Sequence, residues 1–113
     1  VPENAYDMVT ELLVAQHVSD ETLLEHLVGG TQALKGDGLF ALQVADFLHP
    51  PSPDVLAKNY TLEPKKAGSV KRTEATMRTL IKDAGGEVVN VLRGREYPMY
   101  DSMWMIYHIG KAT

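Results

Sequence analysis

The chain has 113 residues, which is room for one domain and one core. Its net charge of −4 gives no global pull toward nucleic acid, and with no cysteine it can form neither a disulfide nor a thiolate zinc site. No apolar run approaches the ~20 residues of a membrane helix, and no basic leader or signal pattern opens the chain, so an intracellular protein without a membrane helix is expected.

The opening segment can be read two ways. Ala5, Met8, Val9, Leu12 and Leu13 have helical spacing, which makes residues 4–16 a helix by periodicity alone. A strand in the same place would give the order strand, helix, strand, helix, strand, strand, a coherent α/β layer. Ser19-Asp20-Glu21 then starts a helix, with a capping serine and acids near the positive end of the dipole. Leu23, Leu24, Leu27, Val28 and Leu34 share its apolar face. Gly29-Gly30 interrupt it at about 1 kcal/mol each relative to Ala, so close packing or an irregular turn is expected there. Gly36-Asp37-Gly38 stops the helix and turns the chain.

Leu39–Ala45 is a short, nearly continuous apolar run, the pattern of a parallel strand buried on both faces. From Asp46 to Gly68, Pro50, Pro51, Pro53 and Pro64 break any regular pattern, which makes this a long connection. Connections of that length are usually functional, mobile or engaged with a partner. A second helix is expected over Val70–Ala84, with Met77, Leu80, Ile81 and Ala84 facing the core and Gly85-Gly86 ending it. Glu87–Leu92 reads as a strand, Gly94–Pro98 as a turn, and Ser102–Ile109 as a buried strand with Met103, Trp104 and Met105 in the core.

Taken together, Tyr6-Asp7-Met8-Val9, His17-Val18-Ser19-Asp20 and Leu34-Lys35-Gly36-Asp37-Gly38-Leu39 resemble the second half of class I S-adenosylmethionine (SAM)-dependent methyltransferases. Within that class the chain is most similar to the alpha-N-terminal protein methyltransferases. Gln16-His17-Val18-Ser19-Asp20 stands where that family has Gly-His-Leu-Thr-Asp, and Ser69-Val70-Lys71-Arg72 precedes a helix ending at Ala84-Gly85, as in the family's last helix. Arg95-Glu96-Tyr97-Pro98 leading to Met105-Ile106-Tyr107 is similar to its closing hairpin. The resemblance implies an α/β fold, the C-terminal half of a Rossmann-like seven-stranded sheet of order 3-2-1-4-5-7-6. Tyr6–Glu11 would be the fourth strand, and residues 1–113 a partial domain supplying the block 4-5-7-6 with two helices. Ser102–Ile109 would be the antiparallel strand. The glycine-rich turn and the ribose-binding acid would lie in a preceding half, since no GxGxG occurs in this chain.

Carried over residue by residue, the family's Gln and Trp after the fourth strand fall on Leu12 and Leu13. These mark the cofactor-contacting positions without their hydrogen-bonding groups. The family's His is retained as His17, the candidate catalytic residue, which also reads as a structural group at a loop–helix junction. The Asn ending the fifth strand falls near Ala45, and Asp46 is the candidate substrate-binding group if the register slips by one. The acids that receive the substrate amine fall at Pro64–Ala67, where none matches. SAM is therefore expected as the cofactor of the complete fold and not of this chain alone.

His26, His49 and His108 are too scattered for a metal site. Lys65, Lys66, Lys71, Arg72, Arg78 and Lys82 read as a solvated loop and helix face, with phosphate contact as the alternative. Two functions stand nearly level: a methyltransferase-like domain acting on a protein substrate, and a non-catalytic module that keeps the fold as a scaffold in a larger assembly. A nucleic-acid adaptor is a distant third. In each case the missing half, a second copy or a larger partner is expected to cover strand Tyr6–Glu11, because an unpaired edge beside Met8 and Val9 invites another chain.

Overall fold

The structure, a computed structural model, describes residues 2–49, 52–53 and 70–112. It contains β1 (Tyr6–Glu11), α1 (Asp20–Ala33), β2 (Leu34–Phe47), α2 (Glu74–Asp83), β3 (Gly86–Tyr97) and β4 (Ser102–Lys111). The strands form one sheet of order β1-β2-β4-β3. β1 and β2 are parallel, while β4 runs antiparallel to both of its neighbours. The helical spacing of residues 4–16 does not make a helix. Tyr6–Glu11 pairs with β2, and a right-handed helix cannot pass through Leu13, whose φ of 62° is left-handed.

Alternation along the strands decides where the core lies. Phe40, Leu42 and Val44 of β2 pair with Ile109, Tyr107 and Met105 of β4, and all six point to one face. Leu23 and Leu27 of α1 and Met77 and Ile81 of α2 join the same buried cluster. Both helices therefore lie on that face. The opposite face carries Ala41, Gln43 and Ala45 of β2 opposite His108, Ile106 and Trp104 of β4, with Leu92 of β3 beside Ile106. Among the described residues no helix joins a core on this second face. Met103 and Met105 are core residues as expected, whereas Trp104 lies on the opposite face and meets Tyr97 edge-on at 6.0 Å.

Several boundaries differ from the sequence expectation, each for a local reason. α1 ends at Ala33, before the Gly36-Asp37-Gly38 turn, and Leu34 is buried as the first residue of β2 rather than as part of the helix face. The register runs from Tyr6↔Leu34 to Met8↔Leu39, so the glycine-containing turn is absorbed as an irregularity inside the strand. β2 reaches Phe47, which places Asp46 in a strand rather than in the long connection. Residues 50–51 and 54–69 of that connection lie outside the described residues. α2 begins at Glu74, capped by Thr73, because Val70–Arg72 is extended and bonded to other segments. β3 continues to Tyr97 through a register shift between Arg93 and Glu96. The turn expected at Gly94 comes instead at Pro98–Tyr100, where proline starts a short 3-10 turn.

The Gly29-Gly30 pair has two different meanings. A Cβ on Gly30 would lie 2.0–2.9 Å from ring carbons of Phe40, so α1 can approach β2 only with glycine there. A Cβ on Gly29 would meet nothing within 4 Å. Gly30→Ala should therefore lose about 1–3 kcal/mol through overpacking, while Gly29→Ala should gain about 0.5–1 kcal/mol. Urea unfolding of the two variants checks both signs.

Candidate functional site

In parallel α/β sheets, ligands bind beyond the carboxyl ends of the strands. Here those ends belong to β1 and β2, and three short segments meet around them. After β1 come Leu12 and Leu13, then a 3-10 turn at Ala15–His17, then Ser19, whose Oγ caps α1 by accepting from the Thr22 N–H at 3.2 Å. The extended Val70–Arg72 strap runs alongside. Val70 N–H donates to Gln16 O at 2.7 Å, and Arg72 N–H donates to Ala45 O at 2.8 Å.

Arg72 fastens this junction. Its side chain is only 2% exposed, and its guanidinium donates to Asp20 Oδ1 at 2.7 Å, Ala15 O at 2.6 Å and Val18 O at 2.7 Å. A planar fork with fixed donors suits three acceptors in different directions, which a lysine ammonium on a flexible stem does not reproduce. The sequence reading of Arg72 as a solvated or phosphate-contacting cation is thus overturned: its charge is used up inside the protein. Asp20, expected to serve only the helix start, is its counter-ion. Lys71 sits over the Phe47 ring at 5.6 Å from its centroid, and Arg78 pairs with Glu74 one turn away. Lys65 and Lys66 lie outside the described residues.

Leu12 and Leu13 are 55% and 60% exposed, an adjacent apolar pair held in solvent at the end of β1. Leu13 N–H donates to the Gln43 side-chain carbonyl at 3.0 Å. His17 is exposed at the end of the 3-10 turn, its backbone N–H donating to Val14 O at 2.8 Å. Asp46 is not beside this group. It stands opposite Met103 on the helix-covered face, whereas Gln43 points to the other. Its Oδ1 accepts from the Phe47 N–H at 2.6 Å. Burial raises the Asp46 pKa, the nearby Glu74 charge adds to the rise, and the Phe47 hydrogen bond and Arg93 oppose it. Tyr107, with its hydroxyl buried and unpaired, is pushed up by burial and then by Asp46 and Glu74. So Leu12, Leu13 and His17 follow one another at the carboxyl end of β1, while the Asp46 side chain lies on the helix-covered face near the end of β2.

One feature had no sequence signal. An open groove of about 550 Å³ runs between β1 and α1, lined by Tyr6, Val9, Glu11, His26, Gly29 and Phe40 among others. In it His26 Nδ1 lies 2.5 Å from Glu11 Oε1, without hydrogen-bond alignment. Among the described residues no cluster of His, Asp or Glu could hold a metal ion. Among them, too, no helix is long and apolar enough to cross a membrane.

No protein-family model matches the chain, and no curated protein matches it. Solved structures do. A SAM-dependent methyltransferase of Leishmania major matches 96% of this chain and 40% of its own, with TM-score 0.69 and 18% identity. The 1,6-didemethyltoxoflavin-N1-methyltransferase of Burkholderia thailandensis, solved with S-adenosylhomocysteine, matches 100% of this chain and 47% of its own, with TM-score 0.72 and 16% identity. A pericyclic reaction enzyme matches 99% of this chain and 28% of its own, with TM-score 0.72 and 12% identity. The chain spans less than half of each of these proteins. At these identities the likeness establishes the fold: over its whole length the chain has a mixed α/β fold shared with SAM-dependent methyltransferases.

Two outcomes test the site's physics. Arg72→Ala leaves Ala15 O, Val18 O and the Asp20 carboxylate without their donor and should cost about 3 kcal/mol or more, with Arg72→Lys recovering little in thermal unfolding. Asp46→Asn should stabilise the protein at neutral pH, because the raised folded pKa means that ionised Asp46 is a net penalty there. The difference from wild type should shrink as pH falls through the raised value toward 3.8, where protonation removes the charge in both states. Unfolding midpoints across that range check the sign.

Proposed function

We propose that this chain is the C-terminal portion of a SAM-dependent methyltransferase fold, with β1, β2, β4 and β3 as strands 4, 5, 7 and 6 of the full sheet. The observation that carries the proposal is the sheet itself. Two parallel strands are followed by an antiparallel strand inserted between the second of them and its own hairpin partner, with the bonded junction at the parallel strands' carboxyl ends. In this proposal the open edge of β1 takes a further strand.

The residues at the end of β1 fit one flank of the cofactor. Exposed Leu12 and Leu13 offer it an apolar lip, and the Leu12–Val14 stretch has no ionisable side chain for its amino-acid or ribose ends. Those contacts belong to other parts of the full fold. SAM supplies an electrophilic methyl group. The part left to this chain is to exclude water beside the nucleophile, through Leu12 and Leu13, and to hold the loop in register. His17, exposed at the rim, is the candidate to accept the nucleophile's proton. The Asp46 side chain lies on the helix-covered face, opposite to that of Gln43, so it offers no counter-charge to a cationic alpha-amine on the Gln43 side of the lip. The alpha-N-terminal specificity of the resembled family is accordingly expected to be weak here.

A second reading, a scaffold that keeps the fold without the reaction, is favoured by the same apolar pair, which replaces hydrogen-bonding groups with hydrocarbon. The two are separated by photo-crosslinking methyl-labelled SAM to the full-length protein from its source and mapping the labelled peptides. Label within residues 11–17 is the expected result, and no label anywhere in the protein favours the scaffold. The 113-residue chain alone should give no calorimetric binding of S-adenosylhomocysteine; a Kd near ~10 µM (about −7 kcal/mol) would contradict the division of the site set out above.

A further inference from the structure

The ladder between β1 and β2 stops where a different contact takes over. The last pair is Glu11↔Leu42, and continuing it would bring Leu12 opposite Gln43. Instead the backbone turns out of the sheet, and Leu13 adopts φ 62°, a left-handed conformation that is strained for a residue with a Cβ. Its N–H leaves the ladder and is received by the Gln43 side chain at 3.0 Å, across 30 residues of sequence. The amide of a β2 side chain thus replaces the backbone carbonyl that a longer strand would have provided.

The result of this arrangement is unfavourable by the ordinary rules of burial. Two adjacent leucines are 55% and 60% exposed although an apolar core lies a few residues away. Strain of this kind persists only where the surroundings hold it, and it collects at functional sites. The next ties along the chain are at Val14 O from His17 N–H, at Ala15 O from the Arg72 guanidinium and at Gln16 O from Val70 N–H, so Gln43 holds the first turn of the loop ahead of them.

We propose that Gln43 is a positioning residue, whose bond to the Leu13 N–H holds Leu12 and Leu13 outward as the apolar lip of the site. The site role rests on the cofactor reading above; the holding of the loop does not. Gln43 points to the uncovered face of the sheet and has no part in the helix-side core, so its replacement leaves the folding core intact.

The test uses the full-length protein from its source with Gln43→Ala and Gln43→Glu, the second keeping an acceptor. Three quantities are read: amide exchange at Leu13, affinity for S-adenosylhomocysteine, and the global unfolding midpoint. Gln43→Ala should speed Leu13 exchange about three- to tenfold and weaken affinity by a similar factor, with the midpoint unchanged. Gln43→Glu should stay near wild type in both. Unchanged Leu13 exchange in Gln43→Ala, or equal losses in both variants, overturns the positioning role. A loss of affinity that tracks a lowered midpoint overturns it too, as a merely structural effect. If wild type takes up no S-adenosylhomocysteine, the cofactor reading and the site role fall together, while Leu13 exchange still decides whether Gln43 holds the loop.

Discussion

The carboxyl end of this sheet depends on one buried guanidinium. Arg72 joins the 3-10 turn through Ala15 O, the approach to α1 through Val18 O, and the first residue of α1 through Asp20, while its own backbone N–H holds Ala45 of β2. Backbone carbonyls at a turn and a helix start have no partners of their own in regular structure. Burying them between two strands and a helix is possible only because one residue brings several donors to the same place. The Val70–Arg72 strap is pinned twice as a consequence, at Gln16 O and at Ala45 O, and α2 begins directly after it.

From that fixed junction the asymmetry of the sheet follows. α1 and α2 both lie on the same face, because the β1-to-β2 and β2-to-β3 crossovers step across the sheet in the same direction, and right-handed crossovers in one direction fall on one face. Sheets containing parallel strands are ordinarily covered on both faces. Here the second face shows Gln43, Ile106 and Leu92, and among the described residues β1, with Met8 more than half exposed, has a neighbour on one side only. The open face and open edge adjoin each other, and the proposal that this chain is part of a larger α/β layer rests on them. This chain spans less than half of each of the matched structures.

Much of this was readable in sequence, for identifiable reasons. The Leu39–Ala45 run marks β2 because a short, nearly continuous apolar run after a turn fits a buried strand, and Ser19 marks α1 because its hydroxyl is a cap. β1 is not decidable from periodicity, since Met8, Val9, Leu12 and Leu13 fit a helix as well; the pairing of Tyr6–Glu11 with β2 and the left-handed turn at Leu13, both tertiary effects, exclude it. At the site, the positions Leu12, Leu13 and His17 do gather at one end of the sheet. Asp46 falls instead within β2, which continues two residues beyond its expected end, and alternation turns its side chain to the helix-covered face. Arg72 was misread because its partners are carbonyl oxygens more than fifty residues away, and such acceptors leave no trace in composition. The Glu11–His26 contact and the hold of Gln43 on Leu13 leave no sequence trace either, because each is made between elements that only the fold brings together.

The central claim is that β1 is an interior strand of a larger sheet in the complete protein. Backbone amide exchange across Tyr6–Glu11, measured in the full-length protein from its source, tests it directly. In a parallel pair, alternate amides of β1 face β2 and the others face away. Strong protection of both sets is the predicted result. Protection of the β2-facing set alone, with the outward amides exchanging freely, would contradict it.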